Sequence, residues 1–386
     1  MSKKQPKEGY LDFEAYERAK EPHTRQKASD WRTAIGLQDV DGLKVSDYLR
    51  QTAAKHIEGD ITIDEARDRI RDYYVSKDSH DRPDEETEEA DKVSANMAKL
   101  LNEKSFSFTA GEFLSIHRHL FEGVLNHAGE IRPFDITKKE WVLRGDTVLY
   151  GRADDILMAL EYDIKQEREF EYKGLSTDEM IEHICHFVSL LWQNHPFREG
   201  NTRTTAVFII KYLRSCGFNV NNDLFADNSW YFRNALVRAN YRNMAKGIDP
   251  DVSFLKLFFR NLLLGEHNEL KNRYMLINPP EEWKKKQEEN SINRPSCDQV
   301  ATKLTDQVSE PERKLISAIG EEEKSIKQLM EIIGLKHRRT FMLNYVEPAI
   351  KKGVVALLYP NSPRHPRQKY KLTVKGLALL HDLMGE

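Results

Sequence analysis

Trp192-Gln193-Asn194-His195-Pro196-Phe197-Arg198-Glu199-Gly200-Asn201-Thr202-Arg203-Thr204-Thr205 is the stretch on which the reading of this chain turns. Before it, Ser176 and Glu179 have the spacing of a capping box, and Ile181, Ile184, Cys185, Val188, Leu191 and Trp192 recur as one apolar face. A buried helix is therefore expected to deliver His195 at its end. After it, Ala206, Val207, Ile209, Ile210 and Leu213 form the apolar face of a second helix, stopped near Gly217. The loop between them ends at a helix N-terminus, which presents unpaired N–H groups and the positive end of a dipole, and Gly200 lets the backbone approach an anion closely. Such a turn suits a phosphate.

The side chains extend that reading. Arg203, in the first turn, offers a guanidinium fork to a second phosphate group. Glu199 would be repelled by bound phosphates unless a cation lay between them, and Mg²⁺ held by one carboxylate, phosphate oxygens and water meets that need. His195 can accept a proton near neutral pH from an attacking hydroxyl. Base, metal ligand, anion cradle and arginine together describe phosphoryl or nucleotidyl transfer.

The run His195-Pro196-Phe197-Arg198-Glu199-Gly200-Asn201-Thr202-Arg203 resembles the signature HPFx(D/E)GNGRxxR of Fic (filamentation induced by cAMP) proteins. The resemblance implies an all-helical Fic bundle that transfers AMP from Mg·ATP to a Ser, Thr or Tyr hydroxyl of a target protein. It implies His195 as the general base, Phe197 packed in the core and Glu199 on Mg²⁺. Arg198, Glu199, Gly200, Asn201, Thr202 and Arg203 become the nucleotide-binding run, with Arg203 on the β-phosphate. Ala128-Gly129-Glu130-Ile131-Arg132 resembles the approach to the family's flap, which aligns a target segment by strand addition. Lys139, Glu140, Trp141, Val142 and Leu143 are then the target-docking residues. Independently, the β-favouring runs 140–143 and 147–150 around Arg144-Gly145-Asp146 predict a β-hairpin.

Two positions depart from the signature. Thr202 stands where Gly is usual, and Ala206 where the second arginine is usual, so the fork for the terminal phosphate is missing. Another nucleotide donor on the same fold, or a nucleotide-sensing DNA-binding regulator without transfer activity, therefore stand as alternatives. The N-terminal segment resembles the antitoxin-like segments whose helix (S/T)xxxE(G/N) inhibits many Fic domains. Asp41, with Leu37 at the Ser/Thr position, and Glu58, with Ala54 there, are the two candidates for the inhibitory carboxylate. With Ala206 in place of its usual arginine partner, that carboxylate is expected to have none.

Around this centre the chain reads as mainly α, with four parts: a helical antitoxin-like segment and connector over 1–92, the Fic domain over 93–277, a linker over 278–310 holding a short helix, and a winged helix over 311–386. The polar run 76–92 reads as a solvated connector or an exposed helix start. The last part shows three helical segments (311–320, 325–333, 337–351) and then two strands, 354–359 and 369–373, with Lys336-His337-Arg338-Arg339 and Arg364, Arg367, Lys369 and Lys371 making a basic face that fits DNA phosphates. His183, Cys185 and His186 lack further ligands at metal-site spacing, and packing or hydrogen bonding is expected of His117, His119 and His127.

Composition sets the outer limits. With 386 residues, 39% hydrophobic, the chain can bury a core in two or three domains, and a formal charge of −3 gives no chain-wide call for nucleic acid or membrane. Three widely spaced cysteines form no disulfide framework or CxxC pair, and neither a signal h-region nor a stretch of roughly 18 apolar residues is present. A cytoplasmic protein that does not enter the membrane is expected, with a homodimer left open.

Overall fold

The computed structural model describes residues 11, 13–17, 21–76, 85–220, 223–278 and 304–385. Most of the linker, with the short helix expected in it, lies outside the described residues. The described residues are mostly helical and divide into two compact units, residues 1–165, 189–211 and 221–251, and residues 166–188, 212–220 and 252–386. Among them no helix is long and apolar enough to cross a membrane.

The first unit begins with α1 (Phe13–Glu17), α2 (Pro22–Gly36), a 3₁₀ turn (Leu37–Asp41), α3 (Asp47–Glu58), α4 (Ile63–Ser76) and α5 (Glu85–Asn102). Helix α5 starts inside the run expected to be a solvated connector or helix start, and its face is far from solvated. Asp91 is completely buried and accepts from the Ser46 amide (2.9 Å), the Ser46 hydroxyl (2.5 Å) and the Tyr74 hydroxyl (2.7 Å). Three donors, two from Ser46 at the cap of α3 and one from Tyr74 of α4, thus offset the cost of burying one carboxyl, which burial pushes toward the protonated form. Across the same layer the Trp31 indole N–H donates to His56 Nδ1 at 2.8 Å. These polar pins tie the cap of α3 and α4 to α5, and α2 to α3, and the Leu37–Asp41 turn continues directly from α2.

Helices α6 (Ala110–Leu120), α7 (Ile156–Glu169), α8 (Thr177–Asn194), α9 (Asn201–Ser215), α10 (Asp223–Asp227), α11 (Ser229–Asn240) and α12 (Ser253–Leu264) follow. The capping box expected ahead of α8 forms: Ser176 N and Oγ donate to Glu179 Oε2 at 2.9 and 2.7 Å.

The β-hairpin expected over 140–150 does not form. Trp141–Leu143 is a 3₁₀ turn closed by Gly145 N to Glu140 O (3.0 Å) and Glu140 N to Asp146 O (2.9 Å). The neighbours Val142 and Leu143 are both fully buried, whereas successive strand residues point to opposite faces. Burying both favours the turn over the ladder.

In the second unit, α13 (Glu310–Ile319), α14 (Ile326–Ile333) and a helix continuous from Arg338 to Lys351 through a π-helical turn (Met342–Val346) precede two antiparallel strands, β1 (Val355–Leu357) and β2 (Tyr370–Leu372). Lys324 bridges Tyr370 on the outer side of β2. The order of three helices and two strands is the expected one. A further helix, Val374–Met384, was not foreseen, although Thr373 caps it through Gly376 N at 3.1 Å. Within this unit Gly217 meets Gly353 so closely that a Cβ on Gly217 would lie 2.0 Å from the Gly353 carbonyl oxygen. Both residues have positive φ, so backbone conformation and contact each demand glycine.

Candidate active site

All residues of the signature run lie in the first unit, and backbone geometry forms their turn before any ligand does. His195 closes α8 with φ +45°, uncommon for a non-glycine residue. Its conformation is held from behind by Arg132, whose Nε donates to His195 O at 2.8 Å while its backbone N–H donates to Pro196 O at 2.8 Å. The same guanidinium donates to Phe134 O at 2.5 Å and to Gly151 O. Asn201 then closes the loop on itself, accepting from Phe197 N (2.9 Å) and donating to Phe197 O (2.8 Å).

Phe197 is fully buried, stacked on His117 at 3.6 Å. His117 Nδ1 accepts from Gly129 N at 2.8 Å, which leaves the proton on Nε2, 3.2 Å from Glu199 O. Burial drives this imidazole down to about 3, so it stays a neutral strut. Gly200 has φ +70°, and a Cβ there would stand 2.2 Å from the Phe121 ring. Beyond it, the N–H groups of the first turn of α9 lack intrahelical partners by position. Thr202 turns its hydroxyl to the Trp192 indole N–H at 3.0 Å. Ala206 is completely buried.

His195 itself is 3% exposed, with its ring against Tyr150 at 4.3 Å. Nδ1 lies 3.3 Å from Trp192 O, and Nε2 is buried without a hydrogen-bond partner. An unpaired buried polar atom costs about 1–3 kcal/mol, and such atoms concentrate where chemistry supplies the missing partner. Burial, and after it the charges of Lys138, Arg233 and Arg132, hold its pKa well below the usual histidine value, so the ring is neutral. Glu199 has a side chain 55% exposed, 4.0 Å from His127 Nε2, and its carboxylate faces outward from the turn. Arg198 is exposed over the Phe134 ring.

Arg203 is not waiting for an anion. It is 2% exposed and fully engaged: one nitrogen donates to Gln38 Oε1 at 2.9 Å, another to Glu89 Oε1 at 2.7 Å, and Nε lies 2.8 Å from Asp41 Oδ2. The last is an ion pair by proximity, since the Nε–H is not aimed at the oxygen. The guanidinium also lies over Phe121 at 4.8 Å. The expectation that Asp41 has no partner is therefore corrected: the carboxylate takes Arg203 instead of the absent second arginine, because the Leu37–Asp41 turn that continues α2 lies beside the start of α9. Glu58, at the end of α3, accepts from Tyr16 Oη at 2.5 Å.

The docking residues also divide. Lys139 and Trp141 are exposed, but Val142 and Leu143 belong to the core, and Glu140 is buried in an ion pair with Arg233 at 2.8 Å while accepting from Tyr150 Oη at 3.1 Å. No side chain of those three is offered to a target.

Sequence reasoning missed Gln38, Glu89, Lys138, Tyr150 and Arg233. No motif marks them; Glu89 sits in a charge run, and the others reach the site only through folding. Lys138 is the most informative of them. It is largely buried, close enough to Asp41, Glu140 and Glu199 to feel their charges, and burial lowers its pKa. Among the described residues its ammonium makes no ion pair or hydrogen bond.

His183, for which no metal role was expected, is 2.7 Å from Glu167 Oε2 and stacks on Phe170, both in the second unit. Among the described residues no cluster of His, Cys, Asp and Glu forms a metal site.

His56, His117 and His195 are all buried neutral in the first unit, His56 down to about 4 because of burial and then Lys27. In the unfolded chain each protonates near 6.5, so their stabilising effect is complete above that pH and is lost as pH falls toward the folded values. The melting temperature is expected to be level from pH 8 to 6.5 and to fall between 6.5 and 4, as read by differential scanning calorimetry. A level curve down to pH 4 would contradict the neutral buried assignments.

Residues 107–213 match the model of the Fic/DOC family, and residues 306–373 match that of the C-terminal domain of Fic-like proteins (filamentation induced by cAMP). Over 119 residues, 31% of this chain, the sequence is 31% identical to the protein adenylyltransferase VbhT of Bartonella schoenbuchensis. The chain spans 24% of the length of that relative. A crystal structure of a Fic family protein from Desulfovibrio desulfuricans G20 aligns with 94% of this chain and 92% of its own, at 18% identity and a TM-score of 0.37.

Proposed function

We propose that this chain, whose residues 107–213 match the Fic/DOC family, transfers AMP from ATP to a hydroxyl of a target protein. The observation that carries the reading is His195: neutral, anchored through its backbone by Arg132, and holding a buried Nε2 with no partner. In the reaction Nε2 takes the proton of the target hydroxyl, the oxygen bonds to the α-phosphorus, and the bond to pyrophosphate breaks. The low basicity of His195 in the free protein comes in part from Lys138, Arg233 and Arg132. A triphosphate offsets those positive charges, so nucleotide binding raises the affinity of Nε2 for a proton when it is needed.

The donor set suits magnesium. Glu199 is a single outward carboxylate beside the N-terminus of α9, and an octahedral cation that draws its other ligands from phosphates and water needs no more from the protein. Bound there, Mg²⁺ would neutralise charge on the phosphate oxygens. The first-turn N–H groups and Arg203 receive the phosphates once Arg203 is released.

Lys138 offers the cation that Ala206 removes. Its unpaired ammonium, near Glu199 and Asp41, suits the terminal phosphate. Lys138→Ala is expected to weaken ATP binding about tenfold, the worth of one charge-assisted hydrogen bond, and to leave ADP binding nearly unchanged. Calorimetry with both nucleotides measures this; equal losses for ATP and ADP would remove Lys138 from the terminal phosphate. Because Ala206 also motivates a different donor, transfer should be assayed with labelled ATP, GTP and UTP side by side, and label from ATP alone is the expected result.

A further inference from the structure

The second unit carries a concentration of basic residues that plays no part in the proposed AMP transfer. From Lys324 to Leu372 the sequence holds eleven Lys and Arg against two Glu, in a chain whose formal charge is −3. Several cations of this unit find partners: Lys352 pairs with Glu312, Lys324 with Glu322, Lys369 with Glu323 and Lys314 with Glu310. Lys327, Lys336, Arg338, Arg339, Arg364 and Arg367 are exposed and, among the described residues, form no ion pair.

Their placement is ordered. A groove of about 820 Å³ is lined by Lys327 and Met330 of α14, Arg338 and Met342 at the start of the next helix, and Arg364 and His365 of the β1–β2 connection. That connection is a built arm. Leu358 N donates to Lys369 O (2.9 Å), Gln368 bonds Tyr359 N and O (2.9 and 3.0 Å), and the Tyr359 and His365 rings stand 4.1 Å apart. Pro360, Pro363 and Pro366 stiffen it further. Two cationic arms, a helix start and a hairpin tip, therefore flank one groove, and a fixed arm loses little entropy when its arginines engage an anion.

We propose that this face of the second unit binds duplex DNA, with Arg338 and Arg339 at the helix start and Arg364 and Arg367 on the hairpin arm engaging its phosphates and groove edges. Charge complementarity names a polyanion, and three further observations select duplex DNA. A B-form major groove admits an α-helix, whereas the major groove of duplex RNA is too deep and narrow. Beside its arginines the helix exposes Thr340, Leu343 and Asn344, side chains able to meet base edges and a thymine methyl group. Single-stranded nucleic acid needs aromatic platforms for its bases, and along this face Tyr359 is the one large exposed aromatic among the described residues.

Fluorescence anisotropy of the full chain with a labelled duplex of mixed sequence tests this. Binding is expected at 50 mM salt and should weaken on the order of a hundredfold by 200 mM, as about four phosphate contacts require. Arg364→Glu/Arg367→Glu and, separately, Arg338→Glu/Arg339→Glu should each lower affinity at least about tenfold. All these positions are exposed, so melting temperatures should match that of the parent. No binding at 50 mM salt, unchanged affinity in both variants, or equal competition by duplex RNA, single-stranded DNA or polyglutamate would overturn the proposal. AMP transfer by both variants should equal that of the parent, which separates this result from any failure of the catalytic reading.

Discussion

With His195→Ala, label from α-labelled ATP on the target protein is expected to disappear, kcat/KM falling by about 10²–10⁴, the range set by loss of a positioned general base. The parent should show a second sign of the same chemistry. Because burial keeps His195 neutral in the free protein, kcat/KM at saturating Mg²⁺ is expected to stay level from pH 8 down through 6, without the acid limb an ordinary histidine would impose. His195→Ala that labels as well as the parent, or a parent that loses half its kcat/KM near pH 6.5, would each contradict Nε2 as the proton acceptor. The variant removes a ring packed on Tyr150 and Trp192, so its melting temperature should be read alongside.

Release of Arg203 is the second large effect. Asp41 and Glu89 hold the Arg203 guanidinium, so under the proposed function nucleotide must displace both carboxylates or wait for the Leu37–Asp41 turn to lift. The Asp41 side chain is 40% exposed and that of Glu89 22%, which keeps each pair well below the worth of a fully buried one. Asp41→Asn is expected to raise transfer at sub-saturating ATP about three- to tenfold, and Asp41→Asn/Glu89→Gln further, chiefly through a lower KM. Rates measured with labelled ATP check this. Transfer that stays level or drops in Asp41→Asn would mean that Asp41 positions Arg203 for the nucleotide instead of withholding it. Arg203→Ala, which removes the contested group, should lose activity in either case.

Much of the fold was legible along the chain because its signals are local. The Ser176 capping box, the apolar faces on either side of His195 and the stop at Gly217 needed only helical periodicity and cap chemistry, and α8 and α9 begin and end within a residue or so of where those signals lie. The 140–150 segment misled for an equally physical reason. Its β-favouring residues report a tendency to sit half-buried on a sheet, and a core that takes in both Val142 and Leu143 outweighs it. In the polar run 76–92 the alternative of an exposed helix start holds at Glu85 and Glu86, but composition cannot tell their carboxylates from that of Asp91, which three donors satisfy in the interior.

The sequence by itself identified the residues of one turn: a histidine at a helix end, then a glycine, an asparagine and an arginine in the first turn of α9. These residues act within a few positions of one another, so adjacency in the chain is enough to place them. Which anions hold Arg203, that Asp41 and not Glu58 reaches it, that Lys138 has no ion-pair partner among the described residues yet feels the charge of Asp41, and that unpaired arginines gather along one groove of the second unit were decided by tertiary structure alone. Polar partners lie within a few ångströms in space but far apart in sequence, 165 residues in the case of Gln38 and Arg203, and only packing brings them together.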